Sequence, residues 1–430
     1  MISLLRSGGY YLLSQLSIFA APIVLIPILT RTLTPEDFGI VSLFLTLAGS
    51  LGGFVLLSGT GAVTRKYFFR HEDSLDFPQY IFNALLLNVG LAMLAVPVIF
   101  ALWFFEVFEL PILVFALLPV MLAFSSLKSY KHKLWNVQKN SRAFSLFDLS
   151  YAFCLVAFVL FSLFFVWDGW QARVIPSFLV EGLFCIAGLY FLLREDGLKA
   201  KLDWVCLNDI LKYGLPLLPH TLGLILLGSF DRLILGSLTG IASVGIYAIA
   251  VSYASLLSIV TIAVDNMVRP YLFELFKRNL EADHFLYILI FLCYLAVVCV
   301  AGAGLYAIRG YLFPIFVGPN FLDAQNFVGW LILGQVFVAI YRFWIKAIFF
   351  SGITFWVSVV SLLAGILAAL CHFTLIPVWG VEGAAISALL GSIMSALLAL
   401  LFSLRIFPVS WKYIKSGFYE RDIIRHRIKF

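Results

Sequence analysis

The sequence predicts an all-α membrane protein of about twelve transmembrane helices, set out as two six-helix halves related by pseudo-two-fold symmetry. Three observations predict it. Of the 430 residues, 63% are hydrophobic and only 12% charged, whereas charged residues make up about a quarter of an ordinary soluble domain. Apolar runs of roughly 20 residues, the length that crosses a bilayer as a helix, recur along the whole chain. Short basic segments alternate with these runs, as topology signals do. Lipid solvates apolar side chains, and a helix satisfies its own backbone, so this composition suits a helical bundle; no short alternating segments of a membrane barrel appear.

The first span, 8–30, carries Pro22 and Pro27. No small-residue cleavage site follows it and the apolar pattern continues, so it reads as a retained helix rather than a signal peptide. Spans at 38–62, 79–104, 110–127, 143–166 and 172–193 complete an N-terminal half, 1–193. The polar stretch 194–211 reads as a cytoplasmic connector. Spans at 212–236, 243–265, 284–307, 325–349, 354–376 and 382–406 form the C-terminal half, 212–406, and a basic cytoplasmic tail fills 407–430. That tail is either an interfacial segment on an anionic leaflet or a solvated end.

Orientation follows from the cations. With the N-terminus inside, most of the 29 Lys and Arg fall in inner segments, among them Arg65, Lys66, Lys128, Lys131, Arg194, Lys199, Arg269 and Lys277. The outer loops keep Arg31, Arg173 and Arg309, while Arg232, Arg342 and Lys346 fall within spans. Both termini are therefore expected in the cytoplasm, and the protein in an inner, cytoplasmic membrane. The net charge of +6 is accounted for by these signals, so no nucleic-acid partner is implied.

The halves resemble each other faintly. Leu33-Thr34-Pro35-Glu36-Asp37-Phe38-Gly39-Ile40 precedes an apolar helix and then Arg65. Leu238-Thr239-Gly240-Ile241-Ala242-Ser243-Val244-Gly245-Ile246 precedes another and then Arg269. Parallel repeats of this kind are an alternating-access design.

Charges inside spans are costly and either functional or paired. Asp231 and Arg232 are adjacent, so they point about 100° apart on a helix and do not simply neutralise each other. Arg342 and Lys346 lie four apart on one face and repel unless an anion sits between them; they are candidate cavity cations, with Lys346 also able to snorkel. Glu181, Asp148, Asp265 and Asp231 are candidate carriers of a coupling H+ or Na+, or partners of an Arg on another helix. His220 and His372 read first as packing residues and second as proton relays. Pro216 and Pro219 break hydrogen bonds early in the seventh span, as Pro22 and Pro27 do in the first, marking bend and gate candidates. Cys154, Cys185, Cys206, Cys293, Cys299 and Cys371 are scattered without metal-ligand spacing and read as packing residues. No phosphate-cradling loop is present, and no outer loop is long enough to house a polymerase site, so the chain is not expected to be an enzyme.

Arg31 to Gly39, Tyr213-Gly-Leu-Pro-Leu-Leu-Pro-His220 with Asp231-Arg232, and Ile376-Pro-Val-Trp-Gly-Val-Glu-Gly-Ala-Ala385 together resemble polysaccharide flippases of the Wzx type. These belong to the multidrug/oligosaccharidyl-lipid/polysaccharide exporter superfamily, and the likeness runs over nearly the whole chain. The resemblance implies a substrate: an oligosaccharide on a polyprenyl pyrophosphate, flipped from the inner to the outer leaflet by alternating access for O-antigen, lipopolysaccharide or capsule assembly. It implies a cationic cavity, for which Arg232, Arg342, Lys346 and Arg31 are the candidates here. It also implies membrane lipids as surroundings, a polysaccharide polymerase and chain-length regulator as partners, and no cofactor beyond a coupling ion. A multidrug exporter of the same superfamily and a lipid-linked peptidoglycan-precursor flippase are the neighbouring expectations.

Overall fold

The computed structural model describes residues 2–70, 75–278, 283–352 and 354–407. Among them no strand occurs. The helices are α1 (Ile2–Thr32), α2 (Pro35–Leu56), α3 (Gly59–Phe69), α4 (Phe77–Phe104), α5 (Ile112–Val137), α6 (Ser141–Phe165), α7 (Gln171–Phe191), α8 (Trp204–Gly214), α9 (Leu218–Gly228), α10 (Phe230–Thr239), α11 (Ile241–Ala254), α12 (Leu256–Arg278), α13 (Asp283–Ala307), α14 (Arg309–Phe316), α15 (Val328–Phe350) and α16 (Thr354–Ile406).

Among the described residues, 10 helical stretches are long and apolar enough to cross a bilayer. The 31-residue α1 adds a crossing. α16 counts twice, because Gly380 at φ 55° breaks its helical path. The expected dozen crossings are thus present. The tail expected at 407–430 lies, beyond Phe407, outside the described residues.

Several boundaries depart from the expected ones. α5 runs through the basic segment Lys128–Lys133 to Val137 instead of ending at 127. α12 extends to Arg278, past the expected stop at 265, so Asp265 lies in mid-helix. The stretch read as a connector turns helical at Trp204. What was read as one seventh span is three helices, α8, α9 and α10, with a 3-10 turn at Leu215–Leu217 between the first two. The second span breaks after Leu56, where Leu57 and Ser58 take positive φ. In each extended case the helix carries charged residues that a hydropathy count treats as an end and that partners from other helices satisfy.

The chain forms two compact units. One comprises the residues up to Thr221, with Arg232–Ile249 and Pro314–Asp323; the other comprises Leu222–Asp231, Ala250–Phe313 and Ala324 onward. In the first unit α1 packs along α6, and α5 packs against α4 and α7. α2 starts on a capping box: Thr34 Oγ1 accepts from the Asp37 amide at 3.1 Å, the Asp37 carboxylate accepts from the Thr34 amide, and Pro35 pre-sets the first turn. That cap is the physical content of the Leu33–Gly39 motif.

The two glycines aligned in the repeat meet here. A Cβ on Gly39 would lie 2.1 Å from the Ile241 carbonyl oxygen, and one on Gly245 would lie 2.0 Å from that of Pro35. The starts of α2 and α11 therefore touch backbone to backbone, each glycine against the other repeat. In the second unit α15 packs on α16 and α13. There Gly223 of α9 lies against Ser361 of α16, and Gly365 lies against Gly223. Ser361 and Gly365 form the small-xxx-small spacing that lets membrane helices approach closely.

Candidate functional site

The charged residues inside spans fall into separate clusters. In the first unit, Glu181 of α7 is 3% exposed. Lys128 of α5 holds it at 2.7 Å, and the Tyr151 hydroxyl of α6 donates to it at 2.8 Å. Lys128 also sits 4.1 Å from the centre of the Tyr151 ring. Both carboxylate oxygens of Glu181 therefore have a partner, as a buried acid requires. Asp148 of α6 accepts from the Ser14 hydroxyl of α1 and lies 2.9 Å from Nε2 of His132 on α5. His132 in turn stacks on Phe144. Lower on α5, the fully buried Lys131 bridges Asp196 and Glu195, and Gln138 donates to Asp196 at 2.6 Å. These partnerships keep α5 helical through its basic segment.

Arg31 is exposed. Its guanidinium donates to the carbonyls of Pro27 at 2.6 Å and Ile315 at 2.7 Å. Ile315 belongs to the last turn of α14, whose free carbonyls form the negative end of that helix, so Arg31 caps it. Arg232 begins α10 half-buried and reaches Thr46 Oγ1 of α2 at 3.5 Å. Asp231 is buried in the first turn of α10, where the helix dipole favours an acid. Pro22 and Pro27 lie within α1, Pro216 in the 3-10 turn and Pro219 in the first turn of α9. His220 is half-buried, and His372 is fully buried in α16.

In the second unit Lys346 of α15 forms a buried ion pair with Asp265 of α12 and donates to the Arg342 carbonyl at 2.8 Å. Arg269, one turn along α12, reaches the other Asp265 oxygen at 3.4 Å. Two candidates assigned opposite roles from the sequence, Lys346 and Asp265, therefore neutralise each other. Arg342 is different. It is half-buried in α15, and its guanidinium makes no hydrogen bond or ion pair among the described residues. A cation in mid-span costs roughly 2.5–3.5 kcal/mol by insertion scales, so Arg342 is a site at which an anion would be stabilising. A planar guanidinium receives an oxyanion through paired hydrogen bonds.

Sequence reasoning passed over Lys128, Tyr151, His132 and Ser14 as partners. Lys128 is absorbed into the topology signal, His132 is not singled out, and Tyr151 and Ser14 carry no periodic mark.

Comparison with known proteins places the chain. The family described as polysaccharide biosynthesis protein matches residues 4–276. A protein of the Lsg locus of Haemophilus influenzae is 25% identical over 281 residues, covering 64% of this chain and 67% of its own. An uncharacterized membrane protein of the same organism is 23% identical over 368 residues, covering 84% and 88%. Among solved structures, an inward-facing MATE family multidrug resistance transporter of the MOP superfamily superposes with a TM-score of 0.69 at 14% identity, over 94% of this chain and 96% of that one. The lipid II flippase MurJ, in an inward closed conformation, gives 0.67 at 14% identity, over 96% and 91%. The fold is the one these transporters share.

Proposed function

Because the chain belongs to the polysaccharide biosynthesis protein family, we propose that it is a flippase carrying oligosaccharide units on a polyprenyl pyrophosphate from the inner to the outer leaflet of a bacterial inner membrane. Arg342 carries this reading: an intramembrane guanidinium that the described residues leave without a hydrogen-bond or ion-pair partner suits a pyrophosphate taken out of water. Lys346, neutralised by Asp265, would position α15 rather than touch substrate. The lipid tail would stay in the bilayer while the headgroup passes, with both termini in the cytoplasm and a polysaccharide polymerase and chain-length regulator acting downstream on the outer face.

Coupling to an H+ or Na+ gradient would act through Glu181. Protonating it would free Lys128 and Tyr151, a change at the junction of α5, α6 and α7. A small-cation exporter is the competing reading, since the fold is shared with multidrug transporters. It requires a buried acid open to cationic cargo, and Glu181, Asp148 and Asp265 each already lie against a basic side chain.

The test is the leaflet distribution of lipid-linked saccharide in cells lacking the protein, read through access to an external glycan-modifying enzyme. Inner-leaflet accumulation, corrected by the unaltered chain but not by Arg342→Ala, supports the reading. Normal outer-leaflet delivery in the absence of the protein and of any redundant flippase overturns it.

A further inference from the structure

A cavity of about 580 Å³ opens between α13 and α15 in the second unit, lined chiefly by Gly302, Ala303, Tyr306, Gly329, Trp330 and Leu333. Its volume falls within the ~300–1,000 Å³ of small-ligand sites. The floor exists because its residues are small. A Cβ on Gly302 would meet Leu257 and Ile332 at 3.3 and 3.4 Å, and one on Gly329 would meet the Tyr306 ring at 3.1 Å. The interior is apolar, and Tyr306, Trp330 and Leu333 are each about two-fifths exposed.

Two charges, one of each sign, stand on the aromatic residues of the lining without lining it themselves. On the α13 side the Arg309 guanidinium stacks 3.7 Å from the centre of the Tyr306 ring and donates to the Tyr306 carbonyl at 2.9 Å. Among the described residues it has no acidic partner. On the α15 side the Trp330 indole donates to the Glu382 carboxylate at 3.3 Å, and Glu382 is exposed. Tyr and Trp at one end of two adjacent spans mark the headgroup level of a bilayer. Each charge thus stands on one of the two aromatic residues that flank the mouth, at the end of these helices that the cation distribution predicts outside.

We propose that this groove binds one phospholipid of the surrounding bilayer with an ethanolamine headgroup, its acyl chain along Gly302, Ala303 and Leu333, its phosphate on Arg309 and its primary ammonium on Glu382. An anionic glycerol headgroup would satisfy Arg309 and meet repulsion at Glu382. A choline headgroup would satisfy the charges but cannot donate a hydrogen bond to the carboxylate. The site is distinct from Arg342 and does not depend on what the protein transports.

The test uses the full chain in nanodiscs of equal parts phosphatidylethanolamine, phosphatidylglycerol and phosphatidylcholine, released into mild detergent and read by native mass spectrometry. One retained phosphatidylethanolamine is expected, favoured over the other two by about fivefold, the upper range for an exposed ion pair. Ala303→Trp, which fills the groove, is expected to remove the adduct. Glu382→Gln is expected to keep an adduct but lose the preference for ethanolamine over glycerol headgroups, and Arg309→Gln to weaken retention of all three. The Glu382→Gln and Arg309→Gln changes are at the surface, so their readout stands even where Ala303→Trp fails to fold. Equal retention of the three lipids, preferred retention of phosphatidylglycerol, undiminished retention by a folded Ala303→Trp chain, or displacement of the lipid by added polyprenyl phosphate would each overturn the assignment.

Discussion

The pairing of Lys346 with Asp265 is open to a double-mutant cycle. Both side chains are under a tenth exposed, and Lys346 has one further acceptor, the Arg342 carbonyl. Removing one partner of a buried pair costs about 3–5 kcal/mol, because the other charge is left in a poor solvent. Asp265→Asn strands Lys346 in this way. Lys346→Met strands Asp265 less completely, since the half-exposed Arg269 remains at 3.4 Å, which offsets about 1 kcal/mol. Replacing both, as Lys346→Met with Asp265→Asn, removes the pair together with its desolvation cost and is expected to fall within about 1 kcal/mol of the unaltered chain. At about 2–4 °C per kcal/mol for units of this size, Asp265→Asn should lower the apparent melting temperature in detergent by roughly 6–20 °C. The double variant should recover most of that. Losses that simply add, or a double variant less stable than either single one, would refute the pairing. The same double variant should still deliver saccharide to the outer leaflet, whereas Arg342→Ala should not.

Gly39→Ala or Gly245→Ala drives a methyl group into a carbonyl oxygen about 2 Å away; the expected cost is about 1–3 kcal/mol for overpacking, read as a lower melting temperature. Gly49→Ala in the same α2, where nothing lies within 4 Å, should be neutral or slightly stabilising. Glu181→Gln should make outer-leaflet delivery insensitive to ionophores that collapse the H+ or Na+ gradient; delivery that still falls when the gradient is collapsed assigns coupling to another residue.

The dozen crossings were legible because apolar length and cation placement are local properties. Their ends were less so. α5 and α12 run past the expected stops because Lys128 and Lys131 find acids on α7 and in the turn after it, and Asp265 finds Lys346 on α15. The intramembrane charges themselves stood out at once against their apolar neighbours. What each one does was hidden, since Lys128 and Glu181 are 53 residues apart and Asp265 and Lys346 are 81 apart. No periodicity carries that information. Arg31 shows the same limit from the other direction: its partners are backbone carbonyls that any sequence would supply.

The contact between the starts of α2 and α11 has the form of an isologous dimer interface. The residue contributed by one repeat meets the other repeat in the way that its own counterpart is met. Because both partners belong to one chain, the encounter is intramolecular and does not depend on concentration. Nor does it require the two repeats to be alike elsewhere: Glu181 with Lys128 and Tyr151 belongs to one, and Arg342 with Lys346 and Asp265 to the other, while the glycine contact is the same in both.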